Sequence, residues 1–352
     1  MNFKRQINHL RRNLFKRITR NLLTTRITGM EELGDVKRVL IIRPNHRLGN
    51  MLLITPLVQE VLTVFPGATI DLFTKGGISP IVFRNYKGVE HIIQLPKKPF
   101  RNLVQYIKGW NTIVGKRYDI VINAVSNSSS GKLAAKLANA RVKLAGELDD
   151  DIKKRYPQHR HIALYPVYSF RSSMEKLGRN INWTLTPYLD LKLAREEVLR
   201  GKDILEQVTK NDKQTLALYT YATGDKCLPP SWWEPFYIEL MSRFPAHNII
   251  EILPVENVSQ LSFKAPSYYS RDIREIGAVI ANTAVFIGAD SGIMHLASAS
   301  LVPTIGLFGV TDIEHYKPYN PGSIGVDVNT VTMDELLVLV EQAIKISTPS
   351  HL

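Results

Sequence analysis

Cysteine is almost missing: Cys227 is the single one in 352 residues. That excludes an internal disulfide and a cysteine-built metal cage, and it fits a reducing compartment or a chain indifferent to oxidation. Long apolar runs are missing too, each being broken by charge, Gly or Pro within roughly ten positions, so no segment reads as a bilayer-spanning helix. The apolar groups near the start are too interrupted for a secretory signal. Carboxylates are absent from the first thirty residues, Glu31 being the first. What remains is 44% hydrophobic and 22% charged, with 21 Gly and 19 Pro spread along the chain. This describes a globular protein with room for about two domains and excludes disorder as the main state.

The formal charge is +13, and its placement matters more than its size. Eight of the 45 basic residues (Lys4, Arg5, Arg11, Arg12, Lys16, Arg17, Arg20, Arg26) precede Ile27, which leaves 37 against 32 acidic residues for the body. A nucleic-acid-binding fold, basic over a whole face, is therefore not indicated. Within this tail Phe3, Ile7, Leu10, Leu14, Ile18 and Leu22 recur at helical spacing, opposite most of the cations. Residues 1–26 thus read as an amphipathic basic helix lying on an anionic membrane surface. A helix packed on the protein's own body with a solvated basic face stays open. A mitochondrial presequence is disfavoured by the scarcity of Ser.

Beyond the tail, short β-branched runs alternate with helical stretches. Strands are expected at Lys37–Arg43, Ala68–Phe73, Ile92–Leu95 and Tyr118–Asn123, with helices over Asn50–Phe65, Ile78–Tyr86 and Gly131–Asn139. Thr55 as N-cap with Pro56 at the first helical position would restart or kink the first helix. From Glu147 to Asn211 the pattern blurs into charge and aromatics, as suits substrate loops and an interdomain connection. It resumes with strands at Thr215–Tyr219, Asn248–Leu253, Ala284–Gly288 and Thr304–Phe308, and helices over Glu234–Arg243, Asp272–Ala281 and Ser291–Ser300. The fold class is α/β, two doubly wound parallel-sheet halves in tandem, with domains at 27–200 and 201–352. Ligands in such a fold sit at strand carboxyl ends and in the crevice between domains.

Three clusters fall at such places. Asp290-Ser291-Gly292 joins a strand to a small-residue helix containing His295, so free backbone N–H groups and a positive helix end face the crevice, as an anion requires. Asp290 or Ser291 as plain N-cap and His295 as a core histidine are the structural alternatives. Thr223-Gly224-Asp225-Lys226 follows another strand, where Lys226 would meet a diphosphate or simply stand on a solvated turn. Asn45-His46-Arg47-Leu48-Gly49-Asn50 leaves the first strand. Gly49 allows close backbone approach, His46 has a pKa suited to proton abstraction, and an exposed His46 with Asn50 as N-cap is the alternative. Ser126–Lys132 lacks the first Gly and the final Ser or Thr of a phosphate loop. Asp149-Asp150-Asp151 reads as a charged turn more readily than as a metal–diphosphate site.

The stretches Arg47–Pro56, Phe65–Asp71 and Gly288–Ala299, with Val302-Pro303-Thr304 and Leu307-Phe308-Gly309, resemble glycosyltransferase family 9, the ADP-heptose:lipopolysaccharide heptosyltransferases. The agreement in order and spacing runs from about residue 37 to 320. The resemblance implies a GT-B fold: two Rossmann-like domains facing an interdomain cleft, acceptor in the first and nucleotide-sugar in the second. It places Lys226 on the donor phosphates, with Thr223 beside it, and Asp290, Ser291, Gly292 and His295 along the diphosphate and sugar. Arg47 and Gly49 fall on the acceptor side. It implies a single inverting displacement with no metal and no cofactor besides the co-substrate. The acceptor is a lipid-anchored core oligosaccharide at the cytoplasmic face of the inner membrane.

One position departs from the family pattern. The opening motif usually carries Gly-Asp, that Asp being the proposed base, and here the residue is Asn50, whose neutral amide takes no proton near pH 7. The expectation is that His46 substitutes as base while Asn50 orients the acceptor. Two other readings follow: a non-catalytic nucleotide-sugar-binding or scaffold protein at the membrane, and, less favoured, a GT-B-like epimerase or hydrolase.

Overall fold

The computed structural model describes residues 26–27 and 34–347. The basic segment expected to form a helix lies outside the described residues up to position 25. Arg26 and Ile27 form a short edge strand, β1, antiparallel to β6 (Asn139–Leu144). The first sheet otherwise consists of parallel strands: β2 (Arg38–Ile42), β3 (Thr69–Lys75), β4 (Val89–Leu95) and β5 (Arg117–Asn123), in the order β1-β6-β5-β2-β3-β4. The second contains β7 (Thr215–Tyr219), β8 (Asn248–Ile252), β9 (Ser267–Tyr268), β10 (Val285–Ala289), β11 (Thr304–Phe308) and β12 (Ile324–Asp327), in the order β12-β11-β10-β7-β8-β9, all parallel. Strand interiors such as Val39-Leu40-Ile41-Ile42 are fully buried, because helices cover both faces.

The two sheets repeat one topology. Each starts in the middle, runs outward over three strands, then returns to the other side of its first strand. The order therefore reverses between β2 and β5 in the first sheet and between β7 and β10 in the second. Crevices open at the carboxyl ends of strands where this happens. Residues 43–50 follow β2, 220–226 follow β7, and Asp290-Ser291 follows β10, so all three clusters singled out in the sequence stand at these reversal points.

Local differences from the expected elements have identifiable causes. The helix expected over Asn50–Phe65 is two helices, Leu48–Leu52 and Thr55–Val64. Ile54, not Thr55, is the N-cap, and the Thr55 hydroxyl donates back to the Leu52 carbonyl at 2.7 Å. The blurred stretch after Glu147 holds three helices, Asp150–Arg155, Tyr165–Lys176 and Arg195–Thr209. Asp149 stands at the N-cap position of the first of them, its carboxylate held by Ser172 and Lys176 and not by the helix, which makes the acidic run a helix start. The third runs through position 200 and packs on Ile273–Ile280 so closely that a Cβ at Gly201 would meet the Ala278 carbonyl at 2.3 Å. The helix Leu103–Gly115, to which the sequence reading assigned no element, covers β4.

One ion pair with a buried guanidinium spans the halves, and a second lies within the first half. Arg274 pairs with Glu197 at 2.6 Å, and its Nη1 donates to the Ile81 carbonyl of the first half at 3.2 Å. Asn85 reaches Glu197 from the other side at 3.1 Å. Arg274 and Glu60, the latter paired with Arg171 at 2.7 Å, are both buried. Such pairs fix geometry more than they add stability.

Candidate functional site

The first and last sequence motifs touch. The helix Leu48–Leu52 of the first half lies against the helix Gly292–Ala299 of the second. A Cβ at Gly49 would stand 2.9 Å from Cδ2 of His295, and one at Gly292 would stand 3.4 Å from the Gly49 nitrogen. Two side-chain-free positions therefore let the backbones of the two domains meet at the crevice.

Around this contact the second half contributes a compact charged group. Lys226, from a single 3₁₀ turn (Gly224–Lys226) after β7, donates to Asp290 Oδ2 at 2.5 Å, and Thr311 Oγ1 reaches the same oxygen at 2.5 Å. The ammonium also lies 5.6 Å from the centre of the Tyr316 ring. Asp290 is buried while Lys226 stays part-exposed. The carboxylate thus anchors the cation and leaves it part-exposed. Asp290 so placed holds the lysine in position. Ser291 caps its helix by accepting from the Met294 N–H at 3.3 Å, which leaves the other free N–H groups of the first turn to face an anion.

His295 is 4% exposed beneath Gly49. Burial holds its pKa down at about 4, the Asp290 carboxylate opposing this and the charges of His161 and Lys226 adding to it. Its Nδ1 has no hydrogen-bond partner among the described residues. At neutral pH the imidazole is uncharged, so its part at the crevice is contact and not charge. Thr223 is exposed on the turn before Lys226.

In the first half His46 and Arg47 are exposed, and Asn50 is half-buried. Loss of hydration lowers the His46 pKa, and the positive charges of Lys97, Lys75 and Arg47 lower it further. The neutral, proton-accepting imidazole therefore dominates at pH 7. The Asn50 amide oxygen accepts from Nη2 of the buried Arg43. Desolvation pulls the Arg43 pKa down to about 10, and Nε of its guanidinium has no partner among the described residues. Asn50 is thus oriented by a buried cation.

Two features of the structure were not anticipated. A cavity of about 540 Å³ is lined by Tyr156, Tyr168, Trp183 and Tyr188 of the first half and Tyr319 of the second. Trp183 stacks on Tyr156 at 4.9 Å, and Thr186 bonds Tyr319 through their hydroxyls at 2.6 Å. The sequence signal was the aromatic richness of residues 147–211, without any periodicity to group it. Asp71, Glu90 and His91 also bring three ligand atoms within 4.8 Å of one another. Asp71 is already paired with Lys116 at 2.8 Å and accepts from Tyr118, and it lies in the amino-terminal half of β3, away from the crevice.

The family model for glycosyltransferase family 9 (heptosyltransferase) matches residues 271–336, the stretch that carries Asp290 to His295 and Tyr316. The chain is glycosyltransferase family 9-like. It is similar to lipopolysaccharide heptosyltransferase 3 of Escherichia coli K12, with 24% identity over 297 residues, 78% of this chain and 84% of that one. Among solved structures it is similar to a glycosyl transferase family 9 protein of Veillonella parvula, at TM-score 0.69 and 16% identity, over 90% of this chain and all of that one. It is similar also to the ADP-heptose lipopolysaccharide heptosyltransferase II of E. coli, at TM-score 0.63 and 14% identity, over 88% and 99%. The two parallel-sheet domains of this family 9-like chain are a GT-B fold.

Proposed function

We propose that the protein is an inverting heptosyltransferase of lipopolysaccharide core assembly, moving heptose from ADP-heptose to a lipid-anchored core oligosaccharide at the cytoplasmic face of the inner membrane. The observation that carries this reading is the Lys226–Asp290 pair beside the N-terminus of Gly292–Ala299, where that helix meets the His46–Asn50 loop. The donor diphosphate lies on Lys226 and the free N–H groups of the helix, with Ser291 and Gly292 lining it. His295 and Thr223 border the sugar and the nucleotide. Gly49 and Arg47 border the acceptor.

His46 takes the proton from the acceptor hydroxyl while Asn50 Nδ2 orients that hydroxyl. The hydroxyl oxygen forms its bond to the anomeric carbon as the bond from that carbon to the diphosphate breaks, so the configuration inverts and ADP leaves. Lys226 and the helix N-terminus neutralise the charge that grows on the leaving group, a task that needs no metal. The similarity to E. coli heptosyltransferases supports the choice of donor and acceptor.

The second reading is a binding or scaffold protein, favoured by Asn50 in the place of the family's acid. Isothermal calorimetry with ADP-heptose, ADP, UDP-glucose and UDP tests the donor assignment. Selective binding of the adenine pair, weakened by Lys226→Ala, is expected. Equal binding of all four, or no effect of the substitution, would remove the donor from this crevice. Adenine-selective binding without any turnover would support the scaffold reading.

A further inference from the structure

From His91 to Tyr118 the chain contains no carboxylate, while Lys97, Lys98, Arg101, Lys108, Lys116 and Arg117 fall within that span. The structure puts these residues around the helix Leu103–Gly115. One side of the helix is core: Trp110 packs edge-on to Phe73 at 5.4 Å, and a Cβ at Gly109 would meet Leu95 at 2.8 Å. The other side is apolar and open. Leu103 is 54% exposed, Val104 82%, Ile107 48% and Val114 47%, with Val104, Ile107, Asn111 and Val114 following one helical stripe. Lys97, Lys98, Arg101, Lys108 and Arg117 stand exposed around it, Lys116 being held by Asp71.

We propose that this helix face is a membrane contact, docking on a bilayer that contains anionic phospholipid. An exposed apolar stripe gains by entering the headgroup–acyl boundary, and the nearby cations are attracted to an anionic surface. The chain's own basic N-terminal segment is repelled by the same cations, as is a second copy of this face. Position agrees with the chemistry. A Cβ at Gly76 would meet Lys97 at 2.9 Å and His46 at 3.0 Å, so the basic border of the face reaches the acceptor loop. A face docked here holds that loop next to the lipid surface. Only this last point rests on the transferase reading; the contact itself rests on charge and exposure.

The test uses the full chain with Cys227→Ser and an environment-sensitive dye on Val104→Cys or, for comparison, on Met241→Cys, which is exposed on the second half. Vesicles of phosphatidylglycerol with phosphatidylcholine are expected to blue-shift the dye at 104 and not at 241. The shift should disappear in pure phosphatidylcholine and weaken with salt. The double substitution Val104→Glu with Ile107→Glu should lower vesicle affinity by about tenfold or more, since it removes two buried apolar side chains. ADP binding by that variant should stay unchanged. Vesicle binding with no shift at 104 would overturn the proposal. So would a dye already blue-shifted before lipid is added, or a concentration-dependent dimer that the double substitution abolishes. None of these results touches the donor assignment, which calorimetry decides separately.

Discussion

Nη2 of Arg43 donates to the amide oxygen of Asn50, joining a buried, desolvated cation to the residue that stands where the resembling family has its acid. A carboxylate at position 50 would neutralise this guanidinium. Asn50→Asp is therefore expected to raise the thermal midpoint, because it pairs a buried charge. The Arg43 charge would also hold the new carboxyl below its usual range and make it a weak base. If His46 is the base, this variant changes kcat by less than tenfold. A much larger gain in kcat would assign the base to position 50.

His46 is exposed, with its pKa lowered by lost hydration and by Lys97, Lys75 and Arg47. A base works in its deprotonated form, so activity should rise with pH through a midpoint below the ordinary histidine value of about 6.5. Removing the charge with Lys97→Met should move that midpoint upward. His46→Ala should abolish the limb and cost on the order of 10²–10⁴ in kcat. The pH profile of kcat/KM checks all three, and wild-type turnover in the alanine variant would contradict the role.

Four contiguous strands of each sheet and both contact motifs were legible from the sequence because buried parallel strands are short β-branched runs and glycine marks close approach, whereas the outer strands β1, β6, β9 and β12 were not read. What escaped was non-local. The pairing of Lys226 with Asp290 spans 64 positions and no spacing rule encodes it. Likewise, Tyr156, Trp183 and Tyr319 form one cavity only once the halves meet. The helix Leu103–Gly115 was missed although it is as amphipathic as the helix Ser129–Leu137, which was read.

Gly49→Ala would press a methyl group against the His295 ring. Overpacking of this kind typically costs about 1–3 kcal/mol. Thermal unfolding of the variant should show that loss, and pairing it with His295→Ala should restore part of it. An unchanged midpoint in the single variant would show that the two domains do not meet at these residues.

His161 offers a pH test of the bridge between the halves. Its ring bonds the Lys317 carbonyl through Nε2 at 2.9 Å, and Nδ1 accepts from the Ala163 N–H at 3.3 Å. Burial, partly opposed by the bond to that carbonyl, pushes its pKa down to about 4, and His295 is lowered to a similar value. The unfolded chain then binds more protons, so stability present above about pH 6.5 should fall as pH drops towards 4. Denaturant midpoints between those values should decline, less steeply for His161→Gln. A flat wild-type profile would contradict the buried neutral rings.

Mass spectrometry of a lipid-anchored core acceptor incubated with ADP-heptose and the protein, with released ADP quantified alongside, reads heptose transfer itself. An acceptor heavier by one heptose, ADP in equal amount, and loss of both with His46→Ala are expected of a heptosyltransferase. Release of ADP without acceptor growth, or growth that persists at the full rate in that variant, would contradict that reading.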